Sequence, residues 1–351
     1  MKQPQTLFIS ALCAASTLAM CANKPADNSD KWKYTPPYFP KSESVRVEKL
    51  SDEYIFSVTR NMQIVDSVIL INTKCVDNIH WIQAIDINTK KHIASFGSEG
   101  RGEGELLEYS VFTVNPKTKE FYAVWNNKYV VYDLKKALNG QTCLKKQGIY
   151  SNPTSVDDIY YLNDNKMLHL GTRPRFAIVS KDMQDTLGRY DERHYISKRF
   201  AEHSDSDLQR RYFNNCSLFT LKPDKSKFVN AIRGGFYMEI FDIKGNKITP
   251  ARECRFVEPR AKDEVWPMND CMIGPFQVRS TDKYIYVLYT TDKGEEIKNF
   301  QLAVLDWNGK EVKNYVLDKY VYNFAITLDD KRCYCWTHEA DGDYLAYFDL
   351  K

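Results

Sequence analysis

Apolar residues along this chain come in short runs of four to eight, several of them alternating with polar ones. Turn-forming residues separate the runs, and no long window carries the 3.6-residue spacing of an amphipathic helix. Such a pattern predicts β-strands joined by tight turns. One unit recurs, and its clearest marker is a third strand that ends in Asp. Copies run from Trp81 to Lys90, Tyr129 to Leu134, Met238 to Asn246, Leu302 to Lys310 and Leu345 to Leu350, with a degenerate copy from Phe176 to Asp182. The Asp suits a turn in which a side-chain oxygen accepts from the backbone just ahead. Gly245-Asn246 and Asn308-Gly309 supply positive-φ hairpin positions. One strand earlier, Pro116 to Lys119, Asn163 to Lys166, Pro223 to Ser226 and Asp329 to Lys331 join apolar runs and predict first-to-second strand hairpins.

A lone four-stranded sheet cannot cover both of its faces, whereas sheets stacked radially cover one another. The repeat therefore predicts an all-β, six-bladed β-propeller of four-stranded antiparallel blades, near 64–96, 110–149, 156–190, 216–255, 274–316 and 320–349. The last blade lacks a fourth strand before the chain stops at Lys351. Ser44 to Leu50 alternates, and is expected to complete that blade and close the ring as an N-terminal strand. Glu53 to Thr59 would lie in or beside the first blade. Two stretches break the rhythm: Tyr190 to Asn215, where Ser204 and Asp205 predict the cap of a short helix through Tyr212, and the Pro-containing loop from Phe256 to Ile273.

The start of the chain reads differently. Leu7 to Met20 is small and apolar, the length of a signal-peptide core and too short for a spanning helix. Leu18-Ala19-Met20-Cys21 resembles the lipobox of bacterial lipoproteins, which implies lipidation at Cys21; Met20 departs from the usual small residue. The expected division is a signal peptide over 1–21, a polar tether over 22–40 and a single propeller domain over 41–351. Lys and Arg exceed Asp and Glu by only 3 charges. That balance gives no long-range field for nucleic acid, and membrane contact is expected only through the lipid anchor. Seven scattered cysteines follow the leader with no CxxC pair, so zinc-ribbon and thioredoxin readings lack support. Cys333 and Cys335 alternate along one strand and are read as packed thiols, while Cys254 and Cys271 are placed to form a disulfide across a loop.

Phe96-Gly97-Ser98-Glu99-Gly100-Arg101-Gly102-Glu103-Gly104-Glu105-Leu106 resembles the F-G-x-x-G-x-G-P-G-E-F segment of NHL-type propellers and of exported, TolB-like six-bladed propellers, many of them lipoproteins. Glu103 replaces the usual Pro and Leu106 the usual Phe. The resemblance implies a fold more than a function, because one propeller scaffold hosts many activities. It also implies export to the periplasm or cell surface, as an outer-membrane lipoprotein.

Candidate chemistry is sparse. The glycines from 97 to 104 lack the Gly-Lys-Ser/Thr and the following helix that a phosphate loop needs, and read as a structural turn. Nucleophile-elbow and His-Glu-x-x-His motifs are absent, and no catalytic residue, cofactor or metal is assigned. The loops between second and third strands, with the links between blades, share one rim. On it fall Arg101, Trp125, Asn126, Lys128, Arg173, Arg175, Arg233 and His338, with Arg211 on the insert that leans over it. Guanidinium groups grip carboxylate or phosphate bidentately, and aromatic rings stack on sugars. The rim is therefore expected to bind a small anionic or glycan-like ligand, or an envelope protein. The expected function is an envelope-tethered binding module without catalysis; the alternative is a metal-dependent, lactonase-like hydrolase or lyase.

Overall fold

The computed structural model describes residues 39, 41–51, 59, 61–73, 79–107, 110–125, 128–149, 156–171, 175–191, 217–232, 235–257, 261–262, 266–267, 274–290, 292, 299–339 and 342–351. The leader, Cys21, the tether other than Phe39, the run from Glu53 to Val58 and the insert around Arg211 lie outside these residues. Six antiparallel four-stranded sheets span 61–98, 111–149, 156–190, 217–257, 277–317 and 321–349, the last completed by Glu48–Lys49. The blades thus begin and end within three residues of the expected bounds. The largest differences are at the starts of blades 1 and 5; the inner strand of blade 1, Asn61–Val65, opens with two polar residues in three.

The turns work as their residues dictate. Asp86 accepts from the Thr89 N–H at 2.7 Å, and Asp306 from the N–H groups of Asn308 and Lys310 at 2.8 and 2.9 Å. In the degenerate copy the Ser180 hydroxyl substitutes, accepting from Gln184 and Asp185. Asp133 instead caps a one-turn helix, Leu134–Leu138, by accepting from Lys136 N–H. In the first-to-second strand hairpins Asn115, Asn163, Asp224 and Asp329 each accept from a backbone N–H two residues ahead. The glycine-rich segment is a structural turn. Gly97 has φ +74° and leaves room for Leu106, which is fully buried beneath it, and Gly100 lies against the Glu105 carboxylate.

Among the described residues the apolar core divides into six clusters, one at each seam between neighbouring blades. Phe96 with Phe112 and Phe121 joins blades 1 and 2; Tyr122 and Tyr161 lie between 2 and 3; Phe176, Phe228 and Phe241 between 3 and 4. Met238 with Val287 joins 4 and 5, Tyr286 with Phe324 joins 5 and 6, and Ile71 with Trp336 joins 6 and 1. Every sheet is thus buried on both faces by its neighbours, which is the reason the ring closes. The N-terminal run does more than complete blade 6. Ser42–Val45 pairs in parallel with the outer strand of blade 5, and Glu48–Lys49 then pairs with Tyr347 and Ala346 of blade 6. Between them Val47 is buried in the 5–6 seam, and Leu50 is buried in the 6–1 seam.

Cys333 and Cys335 are buried side by side in the 5–6 seam, as their spacing implied. The expected Cys254–Cys271 pairing falls partly outside the described residues: Cys254 is buried in the 4–5 core beneath Gly309, and Cys271 lies outside them. The Phe256–Ile273 loop carries a small ladder, Ala261–Lys262 with Trp266–Pro267. Among the described residues no helix is long and apolar enough to cross a membrane.

Candidate functional site

The inner strand of each blade faces the central channel, and polar side chains tie neighbouring inner edges together around it. Asn72 Nδ2 donates to the Ser110 carbonyl at 2.7 Å between blades 1 and 2, and the Tyr161 N–H donates to Thr113 Oγ1 at 3.2 Å between 2 and 3. The Tyr160 hydroxyl reaches the Phe219 carbonyl at 2.9 Å between 3 and 4, and Ser280 donates to the Leu221 carbonyl at 3.1 Å between 4 and 5.

Arg279, on the blade 5 inner strand Gln277–Ser280, spans the remaining seams. Its Nη1 donates to Gln277 Oε1 and the Val278 carbonyl, both at 2.8 Å; its Nη2 donates to Asn61 of blade 1 at 3.2 Å and Asn323 of blade 6 at 3.1 Å. One guanidinium thereby holds three blades, using the fixed fork that Lys lacks. Asp158, on the blade 3 inner strand Val156–Asn163, supplies negative charge. Its Oδ2 lies 2.7 Å from the Tyr160 hydroxyl, and its Oδ1 accepts from the Ile159 N–H at 2.9 Å. Burial pushes the Asp158 carboxyl up to about 6, against the opposing pull of those two hydrogen bonds and of the Arg279 charge. Burial likewise lowers Arg279, and raises the Tyr160 hydroxyl above its ordinary range. A carboxyl held up to about 6 beside a tyrosine hydroxyl and a guanidinium is the kind of perturbed group that binding and catalytic sites use.

The rim residues named from the sequence fall into separate groups. Arg101, Trp125 and Lys128 come together: the Lys128 ammonium donates to the carbonyls of Arg101 and Gly102 and sits 5.0 Å from the centre of the Trp125 ring. Lys128 thus secures the link between blades 1 and 2 and leaves the Arg101 side chain exposed. Arg175 is buried, pairs with Glu239 of blade 4, and lies 4.6 Å from the Phe176 ring centre; Asn230 also donates to Glu239 at 3.1 Å. Its charge is therefore spent between blades. His338 is exposed on the blade 6 hairpin, with Nδ1 2.6 Å from Asp343 Oδ1. Asn126, Arg173, Arg211 and Arg233 lie outside the described residues.

Several groups had no sequence signal. Beside His338, Tyr320 is 40% exposed and packs 4.4 Å from the Phe300 ring and 5.6 Å from the Tyr322 ring. Burial and a hydrogen bond to Asp343 raise the Tyr322 hydroxyl above its usual range. These rings and the His338–Asp343 pair form an aromatic and polar patch on the mouth at blades 5 and 6. Asn61, Asp158, Arg279 and Asn323 come from four blades and converge only when the ring closes. The one available signal was a charge inside a predicted inner strand, as in Gln277-Val278-Arg279-Ser280. Among the described residues no three His, Cys, Asp or Glu side chains are grouped to hold a metal ion.

Comparison with known proteins agrees with this architecture. The family model described as TolB-like 6-blade propeller-like matches residues 38–329. A comparison with curated protein sequences found no match. Similar solved structures include U3-55K, with a TM-score of 0.51 and 7% identity over 88% of this chain and 98% of that one. They also include the RRP9 WD40 repeats, with a TM-score of 0.50 and 8% identity over 89% and 99%. At such identities the likeness concerns the fold alone.

Proposed function

This chain belongs to the TolB-like family of six-bladed propellers, and from that premise we propose that it is an envelope-tethered binding module. It recognises a small anionic or glycan-like ligand, or a partner protein, at the channel mouth. The observation that carries this reading is the convergence of Asn61, Asp158, Arg279 and Asn323 in a channel whose mouth also presents Tyr320 and the His338–Asp343 pair. Both terminal nitrogens of the Arg279 guanidinium donate within the protein, so the channel is preorganised and a ligand meets groups that need not rearrange. The lipobox-like Leu18 to Cys21 supports export and anchoring through Cys21.

A hydrolase or lyase is the second reading, and it rests on Asp158, whose carboxyl burial pushes up to about 6 and which lies within hydrogen-bond reach of a tyrosine. Ligand-observed NMR separates the two. Small carboxylates, phosphate esters, lactones and oligosaccharides are screened against the wild-type chain and against His338→Ala and Asp158→Asn. Binding that weakens in the variants, with ligand concentrations constant over hours, supports a binding module. Consumption of a ligand that stops in Asp158→Asn overturns it. For the anchor, Cys21→Ser is expected to move the protein from the membrane fraction to the soluble fraction; retention with the membrane contradicts the tether.

A further inference from the structure

A groove of about 560 Å³ lies between blades 4 and 5, at the end of the ring opposite the mouth. Lys227, Ala251, Arg252, Trp307, Asn308 and Lys310 line it, with Gly309 and Glu311. One wall is the outer strand of blade 4 and the other is the third-to-fourth strand turn of blade 5. That turn is rigid: Asp306 accepts from Asn308 and Lys310, and the Gly309 N–H donates to the Asp306 carbonyl at 2.9 Å. Gly309 has φ +73°, and a Cβ there would overlap Cys254 Sγ and lie 3.8 Å from Arg252 Cγ. A glycine is what lets the turn close directly onto blade 4.

Two features give the groove a chemistry. Trp307 donates its only polar hydrogen, at Nε1, to the Thr281 carbonyl at 3.1 Å. What the indole offers is therefore its apolar ring, with the Lys222 ammonium 5.8 Å from the ring centre adding a further cation beside it. Around the groove stand three cations, Lys227, Arg252 and Lys310, against one carboxylate, Glu311. Lys227 is paired with Asp242, but the Arg252 guanidinium and the Lys310 ammonium are exposed. Asn308 adds an exposed amide, and only Ala251 adds a further apolar side chain, which suits a body rich in hydroxyls more than an aromatic one.

We propose that this groove is a second binding site, taking a carboxylated or sulfated sugar whose ring lies on Trp307 and whose anionic group sits between Arg252 and Lys310. It is independent of the mouth: none of its lining residues belongs to the channel or the rim. The indole supplies stacking surface for the C–H face of a pyranose, and the cations supply charge-assisted hydrogen bonds.

Isothermal titration tests the site with three probes: an unsaturated chondroitin sulfate disaccharide, neutral lactose and inorganic sulfate. The expected result is saturable binding of the disaccharide, at least tenfold tighter than sulfate, with no saturation by lactose. Arg252→Ala with Lys310→Ala weakens the disaccharide at least tenfold at unchanged melting temperature. Trp307→Phe keeps a smaller stacking surface and gives a smaller loss. In an Arg101→Ala, His338→Ala background, which disables the mouth, the disaccharide still binds saturably and the Arg252 and Lys310 substitutions still weaken it. Absence of saturable disaccharide binding, equal binding of lactose, or an affinity untouched by the Arg252 and Lys310 substitutions overturns the proposal.

Discussion

Arg279 shows how one residue ties sequence to ring. Its hydrogen bonds reach Asn61 and Asn323 on two other blades, so removing it strands buried polar groups at two seams. Arg279→Ala is expected to cost about 3–5 kcal/mol, read from chemical denaturation, and Arg279→Lys to recover little of it, because an ammonium cannot replace the fork. Full stability in Arg279→Lys would contradict this role. Asp158 gives a pH signature. Its folded-state pKa, about 6, lies above the ordinary aspartate value of 3.8. The native protein therefore binds the proton more tightly than the unfolded chain does, and this group's contribution to stability falls as pH rises from about 4 to about 6. Asp158→Asn should match the wild type near pH 4 and exceed it at pH 7.5, by on the order of 1–3 kcal/mol. A variant less stable than wild type at pH 7.5 would refute the reading. Neither residue stood out in the sequence. A lone Arg and a lone Asp in two strands carry no motif, and their meeting is a property of the closed circle.

Elements were legible where local chemistry decides them. The terminal Asp of third strands and the Asn or Asp of first hairpins bond backbone within a few residues, so their turns could be read from adjacent letters. The start of blade 1 was read three residues late because Asn61 and Gln63 are polar and only half-buried, and polar residues at a strand's start look like loop. Parallel pairing of Ser42–Val45 with blade 5 was not legible at all, since it depends on residues some 270 positions away. The alternation of Ser44 to Leu50 did reveal the closing strand, though only Glu48–Lys49 serves that purpose. That segment bears on stability. Leu50, 5% exposed in the 6–1 seam, should cost about 2–5 kcal/mol when cut back in Leu50→Ala. The loss should appear as one cooperative transition at lower denaturant. A separate early transition would mean that the N-terminal strand is an appendage rather than the closure.

At the scale of the whole molecule the ring has two ends with different characters. The mouth gathers Arg101, the Tyr320 rings and the His338–Asp343 pair above a polar channel, while the other end holds the Trp307 groove. The sequence could not say which of the rim charges were already spent. Arg175 is held by Glu239, and Lys128 by two carbonyls. The most direct test of recognition at the mouth is hydrogen–deuterium exchange with and without the tightest binder from the ligand screen whose affinity His338→Ala weakens. The account predicts slowed exchange confined to segments 99–107, 320–324 and 336–344. Slowed exchange only at the opposite end of the ring, or none on saturation, would contradict it.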